Sequence, residues 1–81
     1  MKIIFDPPKR ETTLKERKLD MADLTVEFFE EATIFDAKLG RLKAVGLFGD
    51  DLITVIFKLL GTEAISVISM RRASRKERKS I

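Results

Sequence analysis

The sequence contains no cysteine, histidine, tyrosine or tryptophan, and these four absences close off most enzyme chemistry. Without cysteine there is no disulfide framework, and without Cys or His the usual ligands of a structural zinc are missing. Ser–His and Cys–His nucleophile pairs are excluded, as is HExxH, and neither GxxxxGK[ST] nor GxGxxG occurs in the chain. P-loop nucleotide hydrolysis, dinucleotide redox chemistry and triad hydrolysis therefore drop out, and neither a metal nor a cofactor is expected. Long apolar runs are absent too. Lys2-Ile3-Ile4-Phe5 meets Asp6 and two prolines too early for a signal-peptide core, and nothing approaches the roughly 20 apolar residues that span a bilayer. The expectation is a soluble, cytoplasmic protein with no membrane contact. Its 81 residues read as one domain, 1–81, with a thin core, because a chain this short buries only roughly 60–65% of the surface it exposes when unfolded.

What is present is charge, unevenly placed. Residues 1–70 carry ten Lys/Arg against twelve Asp/Glu, whereas residues 71–81 carry six Lys/Arg against one Glu. The segment Arg71-Arg72-Ala73-Ser74-Arg75-Lys76-Glu77-Arg78-Lys79 could neutralise several phosphates with salt-sensitive affinity. Charge alone equally allows a solubilising terminal helix or an address tag.

Periodicity and punctuation give the order β-α-α-β-β-β-β-α, an α+β fold with an antiparallel sheet, two N-terminal helices on one face and a basic C-terminal helix. Lys2–Phe5 reads as a strand stopped by Asp6-Pro7-Pro8, after which Asp6 caps a mostly polar helix to about Arg17, with Leu14 as its main apolar anchor. Asp20 reads as the cap of a second helix, with Leu19 and Leu24 as a hydrophobic staple and Met21, Leu24, Phe28 and Phe29 as its apolar stripe. Thr33–Phe35, Arg41–Phe48, Leu52–Leu60 and Ala64–Met70 read as strands of an antiparallel meander, turning at Gly40, Gly49-Asp50-Asp51 and Gly61-Thr62. Alternation puts Ile53, Val55, Phe57 and Leu59 on one face, and makes Arg41 and Lys43 share a face, so that a basic patch could lie opposite the helices. For Lys43 and Lys58 the plain alternative is a rim charge. Ser74-Arg75-Lys76-Glu77 is an S-x-x-E capping box that opens a helix running to the end.

The remaining polar residues, Arg, Lys, Glu, Asp, Ser and Thr, suit phosphate binding and electrostatic stabilisation of a phosphorane-like transition state. Metal-free RNA cleavage fits this set, because the RNA's own 2′-hydroxyl attacks the adjacent phosphorus and the protein supplies position and charge. Arginine serves those two tasks but transfers protons poorly.

Three segments resemble the BrnT family of bacterial toxins, which is similar in fold to the RelE-like ribonucleases. Phe5-Asp6-Pro7-Pro8-Lys9 resembles that family's strand-to-helix W/F-D-P-x-K. Glu16-Arg17-Lys18-Leu19-Asp20-Met21-Ala22-Asp23 resembles its interhelical E-R-G-L-D-F-A-D-A, with Lys18 where the family has Gly. Ala64-Ile65-Ser66-Val67-Ile68-Ser69-Met70-Arg71-Arg72-Ala73, with Glu77 four residues on, resembles its closing I-R-I-I-S-A/M-R-K/R-A-x-x-x-E. The resemblance implies an endoribonuclease that inhibits translation, is neutralised by a BrnA-like antitoxin, and meets operator DNA only through that antitoxin. The implied assembly is a homodimer or a toxin–antitoxin heterotetramer.

On this resemblance Arg71 matches the Arg of the S-x-R motif and is the first phosphate contact, and Arg41 matches the basic residue entering the second meander strand. Arg17 and Lys58 follow as basic groups that could border the same cleft. Glu77 belongs to the motif and to the capping box, and so is either structural or a proton carrier. Arg72, Arg75 and Lys76 could grip RNA or the antitoxin. The competing function is a binding module, a toxin-like scaffold with weakened catalysis that pairs with an antitoxin and takes part in operator regulation.

Overall fold

The computed structural model describes all 81 residues. Five strands form one sheet in the order β1-β5-β4-β3-β2, where β1 is Lys2–Phe5, β2 Thr33–Asp36, β3 Leu42–Phe48, β4 Asp51–Leu60 and β5 Ala64–Arg72. β2 to β5 are antiparallel neighbours, as short connections require, but β1 runs parallel to β5, with Phe5 opposite Val67. The sheet is therefore mixed rather than antiparallel throughout. The first strand pairs with the last because α1 (Pro7–Arg17) carries the chain off the sheet and leaves the outer edge of β5 open to it.

β1 ends opposite Val67, so beyond that point β5 has no strand on its outer side. There Arg17 Nη1 donates to the Met70 carbonyl at 2.8 Å, and Arg72 Nη1 donates to the Arg17 carbonyl at 2.7 Å. These two bonds tie the end of α1 to the exit of β5. The anchor of α1 differs from the expected one: Leu14 is 40% exposed and Thr13 is the residue it buries. Pro7 and Pro8 begin the helix where no amide donor is needed, and the Asp6 side chain makes no cap bond there.

The expected second helix is divided in two. Asp20 does cap, accepting from the Ala22 amide, but it opens only a short 3-10 turn, Met21–Asp23. Its carboxylate is also held by both Nε and Nη2 of Arg10, at 2.7 and 2.9 Å. Leu24 and Thr25 are extended, and the Thr25 hydroxyl accepts from the Phe28 amide to cap α2, Val26–Glu31. A second cap within reach of the first resets the helix, and the break lets Leu19, Met21, Leu24, Phe28 and Phe29 all point inward.

These residues cover Ile53, Val55, Phe57, Ile65, Val67 and Met70 to make the core. Gly46, within β3, allows α2 to approach closely: a Cβ there would stand 3.0 Å from Ala32 Cβ and 3.3 Å from Phe28 Cε1. α2 is short, so an apolar groove stays open beside it, with Ile34 and Leu59 each nearly half exposed. α3, Arg75–Lys79, starts at the Ser74 capping box as expected and closes at Ser80; it lies over the other face of the sheet. No helix is long and apolar enough to cross a membrane.

Candidate active site

On the face opposite α1 and α2, Val45, Thr54 and Arg71 stand side by side on β3, β4 and β5. The next set along is Lys43, Ile56 and Ser69, with Phe35 of β2 beside Lys43. Beyond it Lys58 pairs with Ser66, and Arg41 falls on the same face by alternation from Lys43. Between these sets β5 carries a bulge opposite Ile56 and Phe57. The extra residue shifts alternation along β5, which keeps Val67 and Met70 in the core while Ser66, Ser69 and Arg71 face outward.

The turn from β5 into α3 then lays Glu77 across Thr54. Glu77 is 6% exposed, and its two oxygens are fully engaged. Arg71 grips it at two points, Nη1 to Oε1 at 2.7 Å and Nη2 to Oε2 at 2.9 Å. Thr54 Oγ1 and the Ser74 amide donate to Oε1 at 2.9 and 2.7 Å, and Lys43 Nζ lies 3.2 Å from Oε2. Ser74 Oγ in turn accepts from the Glu77 amide, completing the capping box. No buried side-chain polar atom is left without a partner.

The electrostatics follow from this geometry. The Arg71 guanidinium holds the Glu77 carboxyl well below the usual carboxylate range against the opposing pull of burial, and the Ser74 amide, Thr54 and Lys43 assist it. The same hydrogen bond raises Arg71 above its ordinary value, with burial opposing. Glu77 is thus ionised at neutral pH and unsuited to donating a proton, while Arg71 remains a cation. Two cations around one carboxylate leave a positive centre. Such a centre binds phosphate and stabilises charge that develops on it. No three His, Cys, Asp or Glu side chains come together as a metal-ligating group.

The family model for the ribonuclease toxin BrnT of type II toxin–antitoxin systems matches residues 5–77. The chain belongs to the BrnT family. Its fold is similar to that in the 1.1 Å crystal structure of the Brucella abortus ribonuclease toxin BrnT, with 54% identity and a TM-score of 0.84, over 93% of this chain and 99% of that one. No curated protein matches. Both Arg71 and Glu77 lie inside the BrnT match, whereas Arg78 and Lys79 lie beyond it.

Of the site residues expected from sequence for a BrnT-like chain, the fold brings Arg71 and Glu77 into contact. Arg41 and Lys58 share their face but stand farther along it. Arg17 stands apart from them: its guanidinium is bound to the Met70 carbonyl at the outer edge of β5. Arg72 alternates to the face opposite Arg71 and is bonded to the Arg17 carbonyl, 3.7 Å from Asp51. Arg75 and Lys76 are exposed on α3. Sequence reasoning placed Lys43 on the basic face but left it as a rim charge, and did not single out Thr54 or Phe35. Alternation within β3 carried the signal for Lys43; its meeting with Glu77 depends on how α3 folds back, which alternation does not encode.

Proposed function

We propose that the chain is a metal-independent endoribonuclease that inhibits translation by cutting RNA, with Arg71 and Lys43 stabilising charge at the scissile phosphate. The 2′-oxygen bonds to phosphorus and gives its proton to water, the bond from phosphorus to the 5′-oxygen breaks, and that oxygen takes a proton from water. The products are a 2′,3′-cyclic phosphate and a 5′-hydroxyl. The observation that carries this reading is the two-point Arg71–Glu77 pair, with Lys43 joined to it, on a sheet face whose other charges are the cations Lys2, Arg41 and Lys58. Glu77 is a positioning residue that fixes the plane of the guanidinium, and preorganised charge is the main catalytic device. Arg41, Lys58, Arg75 and Lys76 extend phosphate binding along the strand, while Arg17 and Arg72 brace the exit of β5.

Family membership supports the rest of the reading. The sheet with helices on one face and cations on the other is RelE-like in plan. The partner is a BrnA-like antitoxin that also contacts operator DNA, the free toxin is a homodimer and the neutralised form a heterotetramer, and the work is done in the cytoplasm. Saturating antitoxin should raise the thermal midpoint of the toxin, and an unchanged melt would remove the pairing.

The deciding experiment incubates purified chain with RNA in excess chelator and identifies the product ends. Cyclic phosphate and 5′-hydroxyl ends are expected. Arg71→Ala, checked for fold by circular dichroism, should lose on the order of a hundredfold or more in rate. Absence of cleavage by the wild type would transfer the assignment to the binding module, which pairs with the antitoxin and regulates the operator without cutting RNA.

A further inference from the structure

Six phenylalanines occur in the chain, and five of them belong to the core: Phe28, Phe29 and Phe57 are buried in it, and Phe5 and Phe48 pack against it. Phe35 is the exception. It stands half-buried on β2, an edge strand, and on the charged face beside Lys43. With no tyrosine or tryptophan in the sequence, it is the one aromatic ring this face offers.

The ring forms one wall of a cavity of about 190 Å³, completed by Lys43, Ser74, Lys76, Glu77 and Ser80. That is smaller than the roughly 300 Å³ at which pockets for drug-sized ligands begin, so it suits one ring system rather than an extended molecule. Lys43 connects this cavity to the positive centre: its Nζ lies over the Phe35 ring, 5.6 Å from the centroid, and 3.2 Å from Glu77 Oε2, so a base stacking on that face takes the place the ammonium now holds. Phe35, Lys43 and Arg71 therefore follow one another, which puts a base beside the reacting phosphate that the two cations share.

We infer that Phe35 is a stacking platform for one nucleobase of single-stranded RNA, next to the phosphate that Arg71 and Lys43 act on, with Lys76 bordering the same cavity. The inference rests on the ribonuclease reading and adds a base subsite to it. An aromatic face accepts any base, and selectivity at such a site comes from stacking strength. Each serine hydroxyl in the wall keeps part of its hydrogen-bonding capacity: Ser74 Oγ accepts from the Glu77 amide and retains its O–H, and Ser80 Oγ donates to the Lys76 carbonyl and retains its lone pairs. Stacking area is larger for a purine, so the subsite favours purines over pyrimidines.

The test uses the full chain and a 2′-O-methyl RNA oligonucleotide, which cannot be cleaved, carrying 2-aminopurine at each position in turn. Binding should quench the fluorophore strongly at one position. In Phe35→Leu, which keeps an apolar side chain on the edge strand, the quench should disappear and Kd should rise roughly ten- to hundredfold; Phe35→Tyr should restore both. Unchanged quench and Kd in a folded Phe35→Leu protein would overturn the inference, as would a failure of Phe35→Tyr to restore the signal. The two readings fail separately: position-specific quench with no cleavage of unmodified RNA leaves the subsite and removes the nuclease, whereas cleavage with no quenched position does the reverse.

Discussion

The Arg71 guanidinium and the Glu77 carboxylate are joined at two points, 2.7 and 2.9 Å, by the turn that leads from β5 into α3. Because the same carboxylate takes the Ser74 amide, it is both the helix cap and the seat of the arginine. Fold and site share this residue, so a change there alters both.

Glu77→Gln tests that sharing. A glutamine completes a capping box in isolation, but here its NH₂ would face cationic donors that now meet an oxygen, and Arg71 would lose its counter-charge. A buried pair broken from one side costs about 3–5 kcal/mol, and the 36% exposure of the Arg71 side chain lowers this to about 2 kcal/mol. Urea denaturation measures it. A loss below about 0.5 kcal/mol, the size of a surface change, would show that the cluster contributes little to folding.

Acid should destabilise the protein through two carboxylates. Glu77 is held well below its ordinary 4.5, and Asp20 is lowered from 3.8 to about 2, first by its hydrogen bond to Arg10 and next by the Ala22 amide. Both pKa values are depressed in the folded state, so the unfolded chain binds more protons in this range. The stabilisation is complete above about pH 4.5 and is lost as pH falls toward the folded values. Thermal midpoints should hold at about pH 6 and drop from about pH 4.5 downward, and Glu77→Gln should flatten that slope. A midpoint that stays level to pH 3 would contradict the two pairs.

Lys18 ends α1 in the left-handed region, at φ 59° and ψ 31°, and its amide donates to the Leu14 carbonyl. A side chain there costs about 1 kcal/mol, and glycine removes that cost while losing some entropy on folding. Lys18→Gly should stabilise the fold by about 0.5–1 kcal/mol, read as a higher urea midpoint at unchanged m-value. A lower midpoint would mean that the Lys18 side chain makes an interaction worth more than the strain.

Local signals in the sequence were legible at most places where one residue satisfies its neighbours, Asp6 being the exception because its side chain makes no cap bond. The Ser74 capping box, the Asp20 cap and the glycine turns all act within a few residues, and the structure keeps them. What was not legible depends on contacts distant in sequence. Nothing near Lys2–Phe5 says that its partner is β5, and nothing near Asp20 says that Arg10 will hold its carboxylate while Thr25 starts the helix again. At the site, the capping box revealed one oxygen of Glu77 and concealed the rest of its partners. Lys43 meets it and Arg41 does not, because the β3–β4 register puts Lys43 beside Ile56 and one alternation from Thr54. The bulge in β5 that turns Arg71 outward has no glycine or proline to mark it.

The last prediction separates binding from chemistry along the basic face. Lys58 is four residues from Thr54 on β4, roughly 13 Å along the strand, and Arg41 lies at the same end of β3. Neither reaches the Arg71–Glu77 pair, so neither should stabilise the reacting phosphorus directly. Each should instead hold a phosphate one or more nucleotides away and release counterions on binding. For single-stranded RNA each such contact adds about 0.7 to the slope of log K against log salt. Arg41→Ala and Lys58→Ala should therefore weaken RNA binding, each reducing that slope by about 0.7, with single-turnover cleavage at saturating protein close to wild type. Lys43→Ala should behave differently, because it removes a cation from the centre itself and should lower the saturated rate as well as affinity. Salt titrations of an uncleavable 2′-O-methyl RNA and single-turnover assays on unmodified RNA make the comparison. A large fall in saturated rate for Lys58→Ala would place the reacting phosphate farther along the sheet than Arg71. An unchanged salt slope in both variants would mean that the RNA does not run along this face.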